Sequence, residues 1–318
     1  MMKWICAPTL MVCLLAARIV AAQAPAFGIG GSGSTLVQDW DFGTSGTIKN
    51  SDDLDASFVY HDHWGTIGNG MKYGALIAAS STHTKIDDPN YGEQPVDASI
   101  RSFTSSSLKT YLKPRDGASE LHPELHNVLC GSFMAAWQLP AGGSRLEQDV
   151  IWETRVRMVT PPYFWFSIWA AGDDWDEGAE MDVVESFGFD NDGFTNFQGA
   201  YWHANSVGGV DGDAYDNWPA SMSAHGITSY DASQYHVWTW WYRKDNTYSA
   251  YVDGIEVNRG TIEWTRSGDS DAAATNIHFL FDGGWGHTKV ESVNHELAAS
   301  ELVGTYYEWD YSRVYLKR

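Results

Sequence analysis

Three carboxylates fall within six residues of this chain, in the run Glu180-Met181-Asp182-Val183-Val184-Glu185, with Gly178 and Gly188 on either side. An apolar, β-branched setting bounded by glycine predicts a strand, in which side chains alternate between faces with period two. Glu180 and Asp182 then share one face, and Met181 and Val183 share the other. Strict alternation would send Glu185 to the apolar face, where an unpaired carboxylate costs several kcal/mol. One extra residue at the Val183-Val184 step, a β-bulge, returns Glu185 to the side of the other two acids. All three then line a single surface.

Two glutamates flanking an aspartate suit retaining glycoside hydrolysis. One carboxylate attacks the anomeric carbon and the other protonates the leaving oxygen across roughly 5–5.5 Å. At about 6 Å and an effective dielectric near 20, two such charges repel by ~3 kcal/mol. That repulsion keeps one of them protonated, as a general acid must be. A solvated acidic strand, or a metal-binding one, would use the same residue types.

The six-residue run resembles the Glu-x-Asp-x-x-Glu signature of glycoside hydrolase family 16, the laminarinase, agarase and carrageenase group. The resemblance implies Glu180 as nucleophile, Asp182 as its helper and Glu185 as general acid/base. It also implies a concanavalin-like jelly roll with a concave substrate cleft, a polysaccharide substrate, and no cofactor for catalysis.

The elements that must position these acids are strands. Tyr163 to Trp169 alternates, with Trp165, Ser167 and Trp169 on one face and Phe164, Phe166 and Ile168 on the other. It is expected to lie antiparallel to the acid strand, and Trp165 or Trp169 either stacks on sugar or belongs to the core. Gln198 to His203 is a further strand candidate beside the acids. His203 resembles a histidine that many family members carry after the motif, and a structural histidine fits the position nearly as well. His236–Tyr242 and Thr247–Gly254 predict a hairpin, and Val150–Met158 alternates as a half-buried strand does. The last segment resembles the family's closing Asp-Tyr-x-Arg-Val-Tyr. The resemblance makes Asp310 the candidate for a structural calcium, held with backbone carbonyls; a carboxylate capping a turn is the alternative.

These elements predict an all-β chain folded as a two-sheet antiparallel β-sandwich. Residues 1–22 have the Lys3 n-region, the apolar Ile5–Ala17 run and the small Val20-Ala21-Ala22 end of a signal peptide. Residues 23–35 are expected as a flexible lead-in and residues 36–318 as one catalytic domain. The chain is therefore expected to be secreted, extracellular or periplasmic, and monomeric. Removal of the signal leaves Cys130 as the one cysteine, so no intramolecular disulfide is expected.

A formal charge of −21 argues against nucleic acid and anionic membrane surfaces as partners. It also disfavours heavily sulfated glycans. Neutral β-1,3-(1,4-)glucan comes first among substrates and agarose-type galactan second. A carbohydrate-binding sandwich without chemistry would gain nothing from three crowded acids. A polysaccharide lyase would want positive charge where this strand supplies acids.

Overall fold

The computed structural model describes residues 24–59, 75–76, 85–88, 92–95, 101–111, 113–114, 120–121, 128–130, 133–135, 139–140, 148–159, 164–172, 179–186, 197–204, 212–214, 225–227, 231–245, 247–261, 276–285, 297–298 and 303–317. The expected signal peptide and most of the 205–230 stretch lie outside these residues. Among the described residues no helix is long and apolar enough to cross a membrane.

Two eight-stranded antiparallel sheets form the sandwich. The front sheet runs Gly212–Ala214, Phe197–Ala204, Ala179–Ser186, Phe164–Gly172, Asn276–Trp285, Phe133–Ala135, Phe58–Val59, with Leu139–Pro140 also on Asn276–Trp285. The back sheet runs Ile255–Thr261, Thr247–Val252, His236–Tyr242, Asp149–Val159, Tyr306–Lys317, Leu108–Tyr111, Arg101–Phe103. Ser34–Asp41 joins it on Tyr306–Lys317. This is the all-β, two-sheet jelly-roll sandwich expected from the strand patterns.

Alternation explains which residues fill the space between the sheets. From the back sheet come Val150, Trp152, Val156, Met158, Trp238, Trp240, Tyr307 and Trp309; from the front come Ile168, Ala170, Val183, Val184, Phe279 and Phe281. Trp152 meets Phe279 edge-on at 4.7 Å, and Phe281 meets Trp309 at 5.5 Å. Such pairs add about 0.5–1.5 kcal/mol each beyond burial. Two of the polar groups at this layer meet on one hydroxyl: the Trp152 indole donates to Ser312 Oγ at 2.9 Å, and Thr154 lies 2.8 Å from the same oxygen.

The lead-in is anchored rather than free. The Ala26 amide donates to Glu153 Oε2 at 2.6 Å, Lys317 Nζ donates to the Gly30 carbonyl, and Ile29 packs with Ile151 and Tyr315. A Gly/Ser-rich composition predicts flexibility, but here the back sheet offers an apolar strip for Ile29 to cover. Gly30 allows the close approach, since a Cβ there would stand 2.2 Å from Ile151 Cδ1. The hairpin turn Asp253-Gly254 has positive φ at both residues, 49° and 80°, which is the type I′ geometry of a two-residue loop. A seven-residue helix, Ser51–Ser57, follows an Asn50 cap whose side chain accepts from the Asp53 amide at 3.0 Å.

Candidate active site

The register of the front sheet builds the site. Ser167 pairs with Glu185, Ile168 with Val184, Trp169 with Asp182, Ala170 with Met181 and Ala171 with Glu180. One step from Ile168 to Trp169 thus spans two on the acid strand, so Val183 is an extra residue and the strand is bulged there. Val183 and Val184 are both buried in the same core cluster, 1% and 0% exposed. Adjacent residues on one face are what a bulge produces.

Ile168 and Ala170 also belong to that cluster. Ser167, Trp169 and Ala171 therefore sit on the opposite, outer face, and their partners Glu185, Asp182 and Glu180 occupy outer-face positions with them. The predicted bulge and the shared face both follow from this register. The neighbouring strand continues the rows, pairing Glu180 with His203, Asp182 with Tyr201 and Glu185 with Gln198. On the other side Ala171 pairs with His278, Trp169 with Leu280 and Ser167 with Asp282. Phe279 and Phe281 point into the core, which leaves 278, 280 and 282 on the outer face.

Three rows result: His278-Ala171-Glu180-His203-Asp213, Leu280-Trp169-Asp182-Tyr201 and Asp282-Ser167-Glu185-Gln198. No lysine or arginine stands in any of them. For Glu180, Asp182, Glu185, Trp165 and His203 the structure describes the strand position. Trp165 pairs with Gly284, beyond the last row. Trp169 is 5% exposed and lies outside the core cluster, so it is a covered outer-face residue and not part of the sandwich filling. Ser167 is 0% exposed, and its hydroxyl has no hydrogen-bond partner.

Sequence reading missed His278, Asp282 and Tyr201, and it placed Ser167 on the right face without giving it a role. Phe279 and Phe281 alternate with 278, 280 and 282, and that alternation was the available signal. The row to which they belong is set by pairing over more than a hundred residues of chain.

Asp310 lies on the back sheet. The step from Arg155 to Val156 spans Tyr311 to Trp309, so Asp310 is the extra residue of a second bulge. Its carboxylate is taken by the Arg155 guanidinium, and its carbonyl accepts from the Phe42 amide at 2.9 Å. Asp39 and Asp41 are near. Burial pushes the Asp41 carboxyl up, Arg313 opposes this, and Asp39 and Asp310 add to it. Among the described residues no group of three His, Cys, Asp or Glu is arranged to hold a metal. A donor set whose central carboxylate carries an arginine does not fit calcium.

No protein-family model and no curated protein matches the sequence. Solved structures do. A non-specific endo-beta-1,3(4)-glucanase from family GH16 superposes with a TM-score of 0.55 at 17% identity, over 90% of this chain and 92% of that one. An endo-1,3-beta-glucanase from Streptomyces sioyaensis gives 0.57 at 16%, over 93% and 99%. The laminarinase catalytic domain from Thermotoga maritima gives 0.51 at 11%, over 90% and 99%. The fold is thus that of the GH16 endo-glucanases, and identities this low define the fold alone.

Proposed function

We propose that the chain is a secreted, endo-acting retaining glycoside hydrolase that cleaves internal β-linkages of a polysaccharide, with β-1,3-(1,4-)glucan the first substrate. The observation that carries this reading is the bulge at Val183, which gives Glu180, Asp182 and Glu185 one face with no lysine or arginine in their rows. With strand rise near 3.3 Å, the Glu180 and Glu185 backbones are about 13 Å apart. Two glutamate arms converging above Asp182 reduce that to roughly the 5–5.5 Å of a retaining pair.

In this mechanism Glu180 attacks the anomeric carbon while Glu185 gives its proton to the leaving glycosidic oxygen. Glu185 then takes a proton from the water that releases the glycosyl-enzyme. Asp182 sits between them and hydrogen-bonds Glu180, which orients the nucleophile. Trp165, paired with Gly284, stacks on a sugar ring in this reading, whereas the covered Trp169 forms the floor beside Asp182. His203, across from Glu180, supplies a hydrogen bond to that carboxylate or to a sugar hydroxyl. The fold neighbours include glucanases with β-1,3 and β-1,3(4) activity in their names, which supports the substrate order.

The test is reducing-end release, with the anomer of the first product followed by NMR, on laminarin, mixed-linkage glucan, agarose and carrageenan. Glu180→Gln and Glu185→Gln should each lose about 10²–10⁴-fold in turnover. Glycan binding and melting temperature should be unchanged. Near-normal cleavage by either variant removes the assignment, and an unsaturated, ultraviolet-absorbing product would mean a lyase.

A further inference from the structure

Among the described residues, Ser167 stands on the outer face beside the acids with a side chain that is both fully buried and unpartnered. A buried hydroxyl without a hydrogen bond is costly, and native structures rarely tolerate one without a role. Register places Glu185 directly across from Ser167 on one side and Asp282 directly across on the other. Directly opposed residues have Cβ atoms about 4.5–5.5 Å apart, within reach of a serine hydroxyl and a carboxyl group. A second acid therefore shares a row with the proposed general acid, with a single hydroxyl between them.

We propose that Ser167 and Asp282 are positioning residues that hold the proton on Glu185. This rests on the reading of Glu185 as general acid/base. A serine hydroxyl has one proton to give and lone pairs to accept with. Between two carboxyl groups it donates to the ionised one and accepts from the protonated one. Asp282, ionised, takes the Ser167 proton; the lone pairs then face Glu185 and accept its proton. The alternative, Glu185 ionised beside ionised Asp282, leaves one carboxylate without the hydroxyl and adds like-charge repulsion. No bond is made or broken in the relay; its effect is to keep Glu185 protonated to higher pH. The other titratable positions among the described residues of this face are Asp182 and Tyr201 in the next row and Glu180, His203, Asp213 and His278 beyond it. Asp182 and Glu180 act on Glu185 in the same direction as Asp282, so they do not cancel it.

In a retaining hydrolase the alkaline limb of the kcat/KM profile reports the acid and the acid limb reports the nucleophile. Asp282→Asn should move the alkaline limb down by about one pH unit, the size of a like-charge effect at ~10 Å and a dielectric near 20. Ser167→Ala should move it the same way, Ser167→Thr should restore it, and the acid limb should stay in place. The same variants are titrated by carbon NMR of carboxyl-labelled glutamate, with the Glu185 signal identified by its absence in Glu185→Gln. That reading needs no turnover, so an inactive wild-type protein would sink the hydrolase while leaving the relay decided. A Glu185 titration identical in wild type, Ser167→Ala and Asp282→Asn, in protein with unchanged melting, overturns the proposal.

Discussion

The outer faces of the two sheets both carry rows of acids, and they treat them in opposite ways. On the back sheet three acids, Asp39, Glu308 and Asp310, each have an arginine. Arg313 Nε lies 2.8 Å from Asp39, Arg157 Nη2 lies 2.5 Å from Glu308, and Arg155 holds Asp310. Burial alone would raise the Glu308 carboxyl, but Ser107 and Arg157 outweigh it and hold the group below its ordinary range. Glu153, fully buried, accepts from the Ala26 amide and lies near Arg313 and Tyr311; burial still pushes it up. On the front sheet the register partners of Glu180, Asp182 and Glu185 are Ala171, Trp169, Ser167, His203, Tyr201 and Gln198. A bulge appears on each side, at Asp310 and at Val183. One delivers an acid to an arginine, the other delivers Glu185 to a row with no lysine or arginine among the described residues. Charge that is neutralised holds a sheet together, and charge left without a cation is available for chemistry.

The comparison breaks most visibly if the back sheet loses a cation. Arg313→Met leaves Asp39 and Glu153 facing each other across a covered strip, and removing one partner of such a buried network costs about 3–5 kcal/mol. The melting temperature should fall by several degrees while turnover per folded molecule holds. A melting curve like wild type would mean that these ion pairs contribute little.

The converse change gives the front sheet what it lacks. Ala171→Arg sets a guanidinium across from Glu180, in the arrangement that Arg313 has with Asp39. An opposite charge at that range lowers a carboxylate's pKa and blunts it as a nucleophile, so turnover should fall on the order of a hundredfold. Stability should change little. Full activity in this variant would argue that Glu180 is not the nucleophile, and it would remove the contrast between the faces.

How much of this was legible in the sequence follows from the range of the interactions. The Val183 bulge was legible because the conflict is local: Met181 and Val183 claim one face and Glu185 cannot join them. The strands of the sandwich were legible from alternation alone, as in Val150–Met158. Ser167 and Asp282 become neighbours only through the register of two strands far apart in the chain. Asp310 was read with the local motif as a guide, and the arginine that claims it is at position 155, in another strand. The lead-in looked mobile because Gly and Ser carry no sign of the strip that Ile29 covers.

A weaker test uses a cation that titrates. Asp253 is answered by His236, whose Nδ1 lies 2.6 Å from its carboxylate, while the Asp231 carbonyl lies 3.0 Å from Nε2. Burial pulls the His236 imidazole down, yet the Asp253 hydrogen bond and the Asp231 carbonyl outweigh it and its pKa is raised from 6.5. Burial pushes Asp253 up, but His236 and the Val237 amide hold it below 3.8. A raised histidine stabilises fully below its unfolded pKa and loses that contribution as pH rises through the folded one. A depressed carboxylate stabilises above its unfolded value and loses that as pH falls through its folded one. The pair is therefore at full strength between about pH 4 and 6.5. The Asp253 side chain is more than a third exposed, so screening holds the gain to about 1 kcal/mol or less. His236→Gln should lower the melting temperature within that window and converge with wild type in alkali. A difference that is constant across pH would assign the effect to packing.

The smallest effect expected concerns Asp310 itself. With Arg155 on its carboxylate, wild-type protein should melt identically in excess chelator and in millimolar calcium. A drop of several degrees on chelation would return a cation to this bulge and would mean that Arg155 swings aside in solution. Arg155→Gln sharpens the point, because it leaves the Asp310 carboxylate uncompensated beside Asp41, whose carboxyl already feels Asp310 and Asp39 as like charges. That variant should lose a few tenths of a kcal/mol, as a half-exposed ion pair does when broken. Calcium, a hard cation that prefers carboxylate and carbonyl oxygens, should then restore part of the loss where sodium at equal ionic strength does not. Calcium dependence in Arg155→Gln but not in wild type would show that the arginine occupies the place a cation would take. If both proteins ignore calcium, the three aspartates lack the geometry for an ion even when freed, and the back face owes its order to guanidinium groups alone.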